Sequence, residues 1–187
     1  DEGWEGSGLR RRFMQAGLRH ESSPIIFFGL KTALGILFPV IAWLTKTALG
    51  LDPKQDDFVI LLVVLMAIGF YLPNMVLRHL IGRRQLELTE NFPDAIDLLT
   101  ICVEAGLSLD AAIARVALEI RLKSSDLAEE LQLVSLELRA GASKERALRN
   151  LALRTGVQDV DTLAAMLIQS EKFGTSVGES LRIHSEM

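Results

Sequence analysis

The sequence predicts an all-α protein in which an N-terminal transmembrane helical hairpin is followed by a cytoplasmic six-helix bundle. Three observations carry that expectation. Apolar residues make up 49% of the 187-residue chain, mean hydropathy is positive, and the excess sits almost wholly between Pro24 and Ile81. From Ile81 onward the apolar residues recur at helical spacing. Gly, Ser, Pro and Asp punctuate that second region at intervals suited to short helices.

Taken in order, residues 1–23 form a basic N-terminal segment with Arg10, Arg11, Arg12 and Arg19 set around Leu9, Phe13, Met14 and Leu18. That pattern suits either a helix on a membrane surface or a solvated lead-in. Residues 24–81 hold two transmembrane helices, at about 24–46 and 58–77. Crossing ~30 Å of hydrocarbon takes roughly 20 apolar helical residues. The first span reaches that length only by including Lys31, which lies close enough to Pro24 to snorkel towards the headgroups. Pro39 is expected to kink this span, and Trp43 suits an interface.

Gly50–Asp57 reads as a polar turn. Phe58–Leu77 then runs without a formal charge, with Pro73 and Asn74 marking its exit or a kink. The outer flanks carry Arg10, Arg11, Arg12, Arg19, Arg78, Arg83 and Arg84, whereas the connecting loop has Lys46 and Lys54 among three aspartates. The positive-inside rule therefore predicts that both ends of this chain are cytoplasmic.

Residues 82–187 read as a cytoplasmic helical domain, with helices near 93–105, 108–122, 125–140, 144–155, 159–173 and 177–187. Pro93 is placed to open the first, Gly106 to close it, and Ser108 to cap the second with Asp110 in its opening turn. Apolar stripes follow at Leu109, Ala112, Ile113, Val116, Ala117 and Ile120, at Leu127, Leu131, Val134 and Leu138, and at Leu163, Ala164, Leu167 and Ile168.

The turn chemistry repeats: Gly106 with Ser108, Gly141 with Ser143, and Gly174 with Ser176 each place a glycine at a helix end and a serine two residues later. The glycines are 35 and 33 residues apart, near the tetratricopeptide period of about 34. The Trp, Tyr and Pro pattern of that repeat is absent, and a bundle of helical hairpins explains the same spacing.

The chemistry-bearing residues argue against an enzyme. No GxxxxGK[ST] loop is present to cradle phosphates. His20, His79 and His184 stand far apart without ligand-spaced partners, and Cys102 is alone, so no metal, no cofactor and no intrachain disulfide is expected. No basic patch with interleaved aromatics supports nucleic-acid binding.

What remains is a set of carboxylates. Asp94, Asp97 and Glu104 share one side of the first helix with Ile101. Local helix energetics explain Asp94 and Asp97 at the positive end of the dipole but not Glu104 at the other end. Glu104 needs a counter-charge, such as Arg115 of the next helix, or a partner protein. Glu171 stands before Phe173-Gly174 much as Glu104 stands before Gly106. Asp94, Asp97, Glu104, Asp110, Glu171 and Glu179 are the candidate partner-binding residues, with structural salt bridges as the competing reading.

FPDAIDLLTICVEAGLSLDAAIARVALEI, followed by LAEELQLVSLELRAGASKERALRNLALRTGVQDVDTLAAMLIQSEKFGTSVGESLR, resembles the F domain of type II secretion platform proteins. The EAGLSLDAA motif most resembles the TadC-type member of the tight-adherence (Tad) pilus system. The resemblance covers about residues 90–187, and GFYLPNMVLRHLIGRR resembles the end of that family's membrane hairpin. It implies a multi-pass protein of the bacterial inner membrane and a non-catalytic platform that couples a cytosolic secretion ATPase to pilin extraction and pilus assembly.

The implied partners are that ATPase, a paralogous TadB-type platform subunit, pilin subunits and the lipid bilayer, in a homo- or hetero-oligomer without nucleic acid. The chain opens on Asp1 and its last stretch, SLRIHSEM, stops inside a helical pattern, so a processed or trimmed chain is expected. Members of the family usually continue into a further apolar stretch, so the resemblance implies either that this part has been lost or that the chain is an unusual member. The alternative is a membrane-tethered helical-repeat adaptor that recruits a cytosolic partner.

Overall fold

The structure is a computed structural model that describes residues 8–18, 22–50 and 55–173. These residues form seven α-helices and a short 3₁₀ turn, with no strand among them: α1 Gly8–Gln15, α2 Ser23–Leu49, α3 Gln55–Glu104, α4 Leu109–Glu119, the 3₁₀ turn Ile120–Leu122, α5 Ser125–Arg139, α6 Lys144–Thr155 and α7 Gln158–Phe173. The chain divides into two units, Asp1–Ile81 and Gly82–Met187, and α3 runs through the boundary.

In the first unit α2 and α3 are long and apolar enough to cross a membrane. Only 6% of the most apolar window of α2 and 11% of that of α3 is buried, so those windows present almost wholly exposed apolar faces. Ile25, Ile36, Trp43, Ile60, Val63 and Tyr71 all point outward.

The two helices meet where side chains are smallest. A Cβ added at Gly69 would lie 2.5 Å from the backbone oxygen of Leu34, an approach that only glycine permits. Pro39 lies inside α2, and Pro73 is buried inside α3, so α3 continues beyond the exit expected near Pro73. The basic segment forms α1, whose Phe13 is buried and meets Phe27 of α2 edge to face at 5.4 Å.

In the second unit Leu88, Phe92, Ala95, Ile96 and Leu99 of α3 join the buried stripes of α4, α5, α6 and α7 in one core. Successive helices pack on one another, α4 on α5, α5 on α6 and α6 on α7. The expected opening of a helix at Pro93 is corrected by the structure, because Pro93 lies well inside α3, and the expected placing of Asp94 and Asp97 at the positive end of a helix dipole is corrected with it. A proline in a helix interior costs about 3 kcal/mol through its missing N–H and its clash with the preceding turn. Burying Leu88 and Phe92 just upstream contributes ~1.5–3 kcal/mol each, which is enough to carry the helix through it.

Two of the three repeated turns are seen, and they are alike. Gly106 has φ 93° and Gly141 has φ 89°. Leu107 N–H donates to the Cys102 carbonyl and Ala142 N–H to the Glu137 carbonyl, the six-to-one bond of a Schellman ending. Ser108 Oγ then accepts from Ala111 N–H at 3.4 Å and Ser143 Oγ from Arg146 N–H at 3.3 Å, capping α4 and α6. The turn expected at Gly174 and Ser176, and the helix expected at 177–187, lie outside the described residues.

Candidate partner-binding surface and its supports

The sequence-predicted carboxylates separate into paired and unpaired groups. Asp94 forms an ion pair with Lys123, which follows the 3₁₀ turn. Asp110, in the first turn of α4, lies 3.6 Å from Lys144 Nζ, and the same nitrogen is 3.6 Å from Glu171 of α7. One lysine at the start of α6 thus gathers carboxylates from two other helices. All three side chains remain substantially exposed, which limits each pair to ~0–1 kcal/mol.

Asp97 and Glu104 are exposed, as is Ile101 between them, and neither acid has an ion pair among the described residues. The pairing considered for Glu104 with Arg115 is not made, because Arg115 binds Glu119 one turn along its own helix at 2.5 Å. An i,i+4 partner needs little chain ordering, whereas a partner on another helix needs both long side chains held. Glu179 lies outside the described residues. The structure therefore joins Asp110 to Glu171, ties Asp94 to the 3₁₀ turn, and leaves Asp97, Ile101 and Glu104 as an unpaired stripe on α3.

A second ion cluster was not foreseen from the sequence. Glu130 of α5 is 0% exposed and lies between two arginines, with Arg84 Nη2 donating at 2.9 Å and Arg154 Nε at 2.8 Å. Arg84 also reaches Asp126 at 3.3 Å, and Arg154 also pairs with Glu137, which accepts from Asn150 at 2.7 Å. Glu130 falls within the α5 stripe of Leu127, Leu131, Val134 and Leu138. A carboxylate in an apolar stripe was the signal available.

Arg84 belongs by sequence to the positive flank of the apolar segment, but its side chain turns inward. Its guanidinium is spent inside the bundle, which leaves Arg78 and Arg83 exposed on that flank.

The turns beside Arg84 are held by polar bonds as well. Gln85 Nε2 donates to the carbonyls of Thr155 at 3.2 Å and Gly156 at 3.0 Å, filling acceptors that the end of α6 leaves open. Ser124 caps α5 by accepting from Leu127 N–H at 3.2 Å and donates its hydroxyl to Glu87 at 3.0 Å. The start of α3 within this unit thus contacts both α5 and the end of α6. Such non-neighbour packing is that of a bundle rather than a linear repeat array.

Cys102 is a half-buried free thiol, and no three of His, Cys, Asp and Glu gather at metal-binding distance among the described residues. The surface offers an acidic and aliphatic stripe mounted on a polar-braced bundle, an arrangement that can bind a basic or amphipathic partner.

No curated protein and no solved structure matches the chain. Residues 95–187 do match a family model, described as Type II secretion system (T2SS), protein F, and this supports placing the helical bundle in the F-domain family.

Proposed function

We propose that this chain is a non-catalytic inner-membrane platform protein of a type II secretion or type IV pilus machine, and more narrowly of the Tad type. The observation that carries the reading is the protein F match over 95–187 in a chain whose α2 and α3 present almost wholly exposed apolar faces. The spans anchor the bundle, both described ends lie in the cytoplasm, and the bundle meets a cytosolic secretion ATPase and a paralogous TadB-type subunit. Coupling then runs from the ATPase through the bundle to pilin in the bilayer.

Asp97, Ile101 and Glu104 are the contact residues in this reading. Glu104 is the sharpest of them, because it faces the unfavourable end of the α3 dipole without an ion pair among the described residues. The test is co-purification of the full chain in mild detergent with its cognate secretion ATPase. Capture by the native chain and loss of capture by Asp97→Lys with Glu104→Lys, at unchanged thermal stability, is the expected result. Equal capture by both chains would remove the stripe from the interface, and no capture by the native chain would contradict direct coupling.

A further inference from the structure

Lys31 has no carboxylate partner among the described residues. Neither Ser23–Leu49 nor Phe58–Leu77 contains Asp or Glu, and the Lys31 ammonium rests on the ring of Phe70, 3.7 Å from its centroid. A ring face offsets part of the desolvation of an ammonium group and leaves its remaining N–H donors seeking an anion.

The surroundings of Lys31 form a groove of about 880 Å³ walled by Pro24, Ile25, Phe28, Thr32 and Phe70. The hydroxyl of Thr32 donates back to the Phe28 carbonyl at 2.7 Å, so the side-chain donor available in that groove is Lys31. The walls suit an acyl chain and the single cation suits an anionic head.

Position agrees with that chemistry. α2 has 27 residues and is therefore ~40 Å long, roughly 10 Å more than the hydrocarbon it would cross, and Lys31 lies ~12 Å from its start. That depth is within reach of the headgroup boundary for a snorkelling ammonium. One turn nearer the start, on the same face, Phe27 receives Phe13 of α1, and α1 carries Arg11 and Arg12 exposed to solvent. From Gly6 to Leu51 the sole carboxylate is Glu21, set against Arg10, Arg11, Arg12, Arg19, Lys31 and Lys46. This excess of positive charge draws anionic lipid towards the helix in general, and Lys31 is the cation placed in the groove to hold one molecule of it.

We propose that the groove holds one anionic phospholipid, with its phosphate on Lys31 and an acyl chain along Ile25, Phe28 and Phe70. The proposal rests on the membrane-spanning reading of α2 and α3, and it assigns to Lys31 a ligand rather than a mere tolerance of the bilayer.

The full chain in detergent, given an equimolar mixture of phosphatidylglycerol and phosphatidylcholine with identical acyl chains, tests it by native mass spectrometry. Retention of a single phosphatidylglycerol at least about fivefold above phosphatidylcholine is expected, the factor that one cation near an anionic surface supplies. Lys31→Met should abolish the preference and Lys31→Arg should keep it, while Arg11→Gln with Arg12→Gln should leave the single retained lipid in place. Equal retention of the two lipids, or a preference that follows the arginines instead of Lys31, would overturn the site.

Alkaline extraction of membranes containing the same variants separates the two readings. A chain that stays in the membrane yet shows no lipid preference removes the site alone. A chain released by alkali removes the membrane reading and the site together.

Discussion

At one end of the bundle Arg84, Glu130 and Arg154 meet out of water, and at the other Asp110, Lys144 and Glu171 meet in it. The chemistry is the same and the exposure is not. In the exposed cluster water solvates each charge almost as well as its partner does, so the lysine links three helices without binding them strongly. In the buried cluster the charges have already lost their water, so every partner is needed. Arg154 Nη2 is buried without an acceptor among the described residues, so the loss of Glu130 would leave this guanidinium still less satisfied. The difference says which end can change and which cannot: the Lys144 end can be rearranged by a partner at little cost, and the Arg84 end fixes the start of α3 onto α5 and α6.

The largest expected effect comes from removing the centre of the buried cluster. Glu130→Ala strands two guanidiniums and should destabilise the bundle by about 3–5 kcal/mol. Cys102, half-buried against the core and the single cysteine of the chain, gives a native reporter, since its labelling by a maleimide during a urea titration follows opening of the bundle. A shift below 1 kcal/mol would place the cluster in the same class as the exposed one.

Leu88→Ala should follow, at about 2–5 kcal/mol for a fully buried leucine. The same titration would show a negligible effect if the bundle began at Pro93, so this variant measures whether the upstream turns of α3 belong to it. Ser143→Ala removes a helix cap and should cost about 1 kcal/mol. Smallest of all, Lys144→Ala should change stability by no more than about 1 kcal/mol, and that change should shrink as salt is raised. A large, salt-independent loss would show the exposed cluster to be structural.

Much of this arrangement was legible in the sequence because it depends on local rules. The apolar stripes, the Schellman glycines at 106 and 141 and the serine caps at 108 and 143 follow from backbone conformation and helical period, which neighbouring residues determine. Pro93 misled because its local preference for a helix start was outweighed by burial of Leu88 and Phe92, a tertiary effect that no short window contains.

The buried cluster was hidden for a similar reason. Arg84 and Glu130 are 46 residues apart, and a run of arginines after an apolar segment looks like a membrane flank until one of them is seen to turn inward. Of the candidate acids, the sequence placed Asp97 and Glu104 on one face correctly but could not say that Glu171 and Asp110 would share Lys144, because that depends on the packing of α4, α6 and α7.

Labelling in spheroplasts tests the disposition of the chain across a bilayer most directly. In a Cys102→Ser background, a cysteine at Lys54 between the two apolar helices and another at Gln132 on the exposed side of α5 are treated with a membrane-impermeant maleimide. Lys54→Cys should react in intact spheroplasts and Gln132→Cys only after they are lysed. Reaction of Gln132→Cys in intact spheroplasts, with Lys54→Cys protected, would contradict the platform reading by putting the bundle on the wrong side of the membrane.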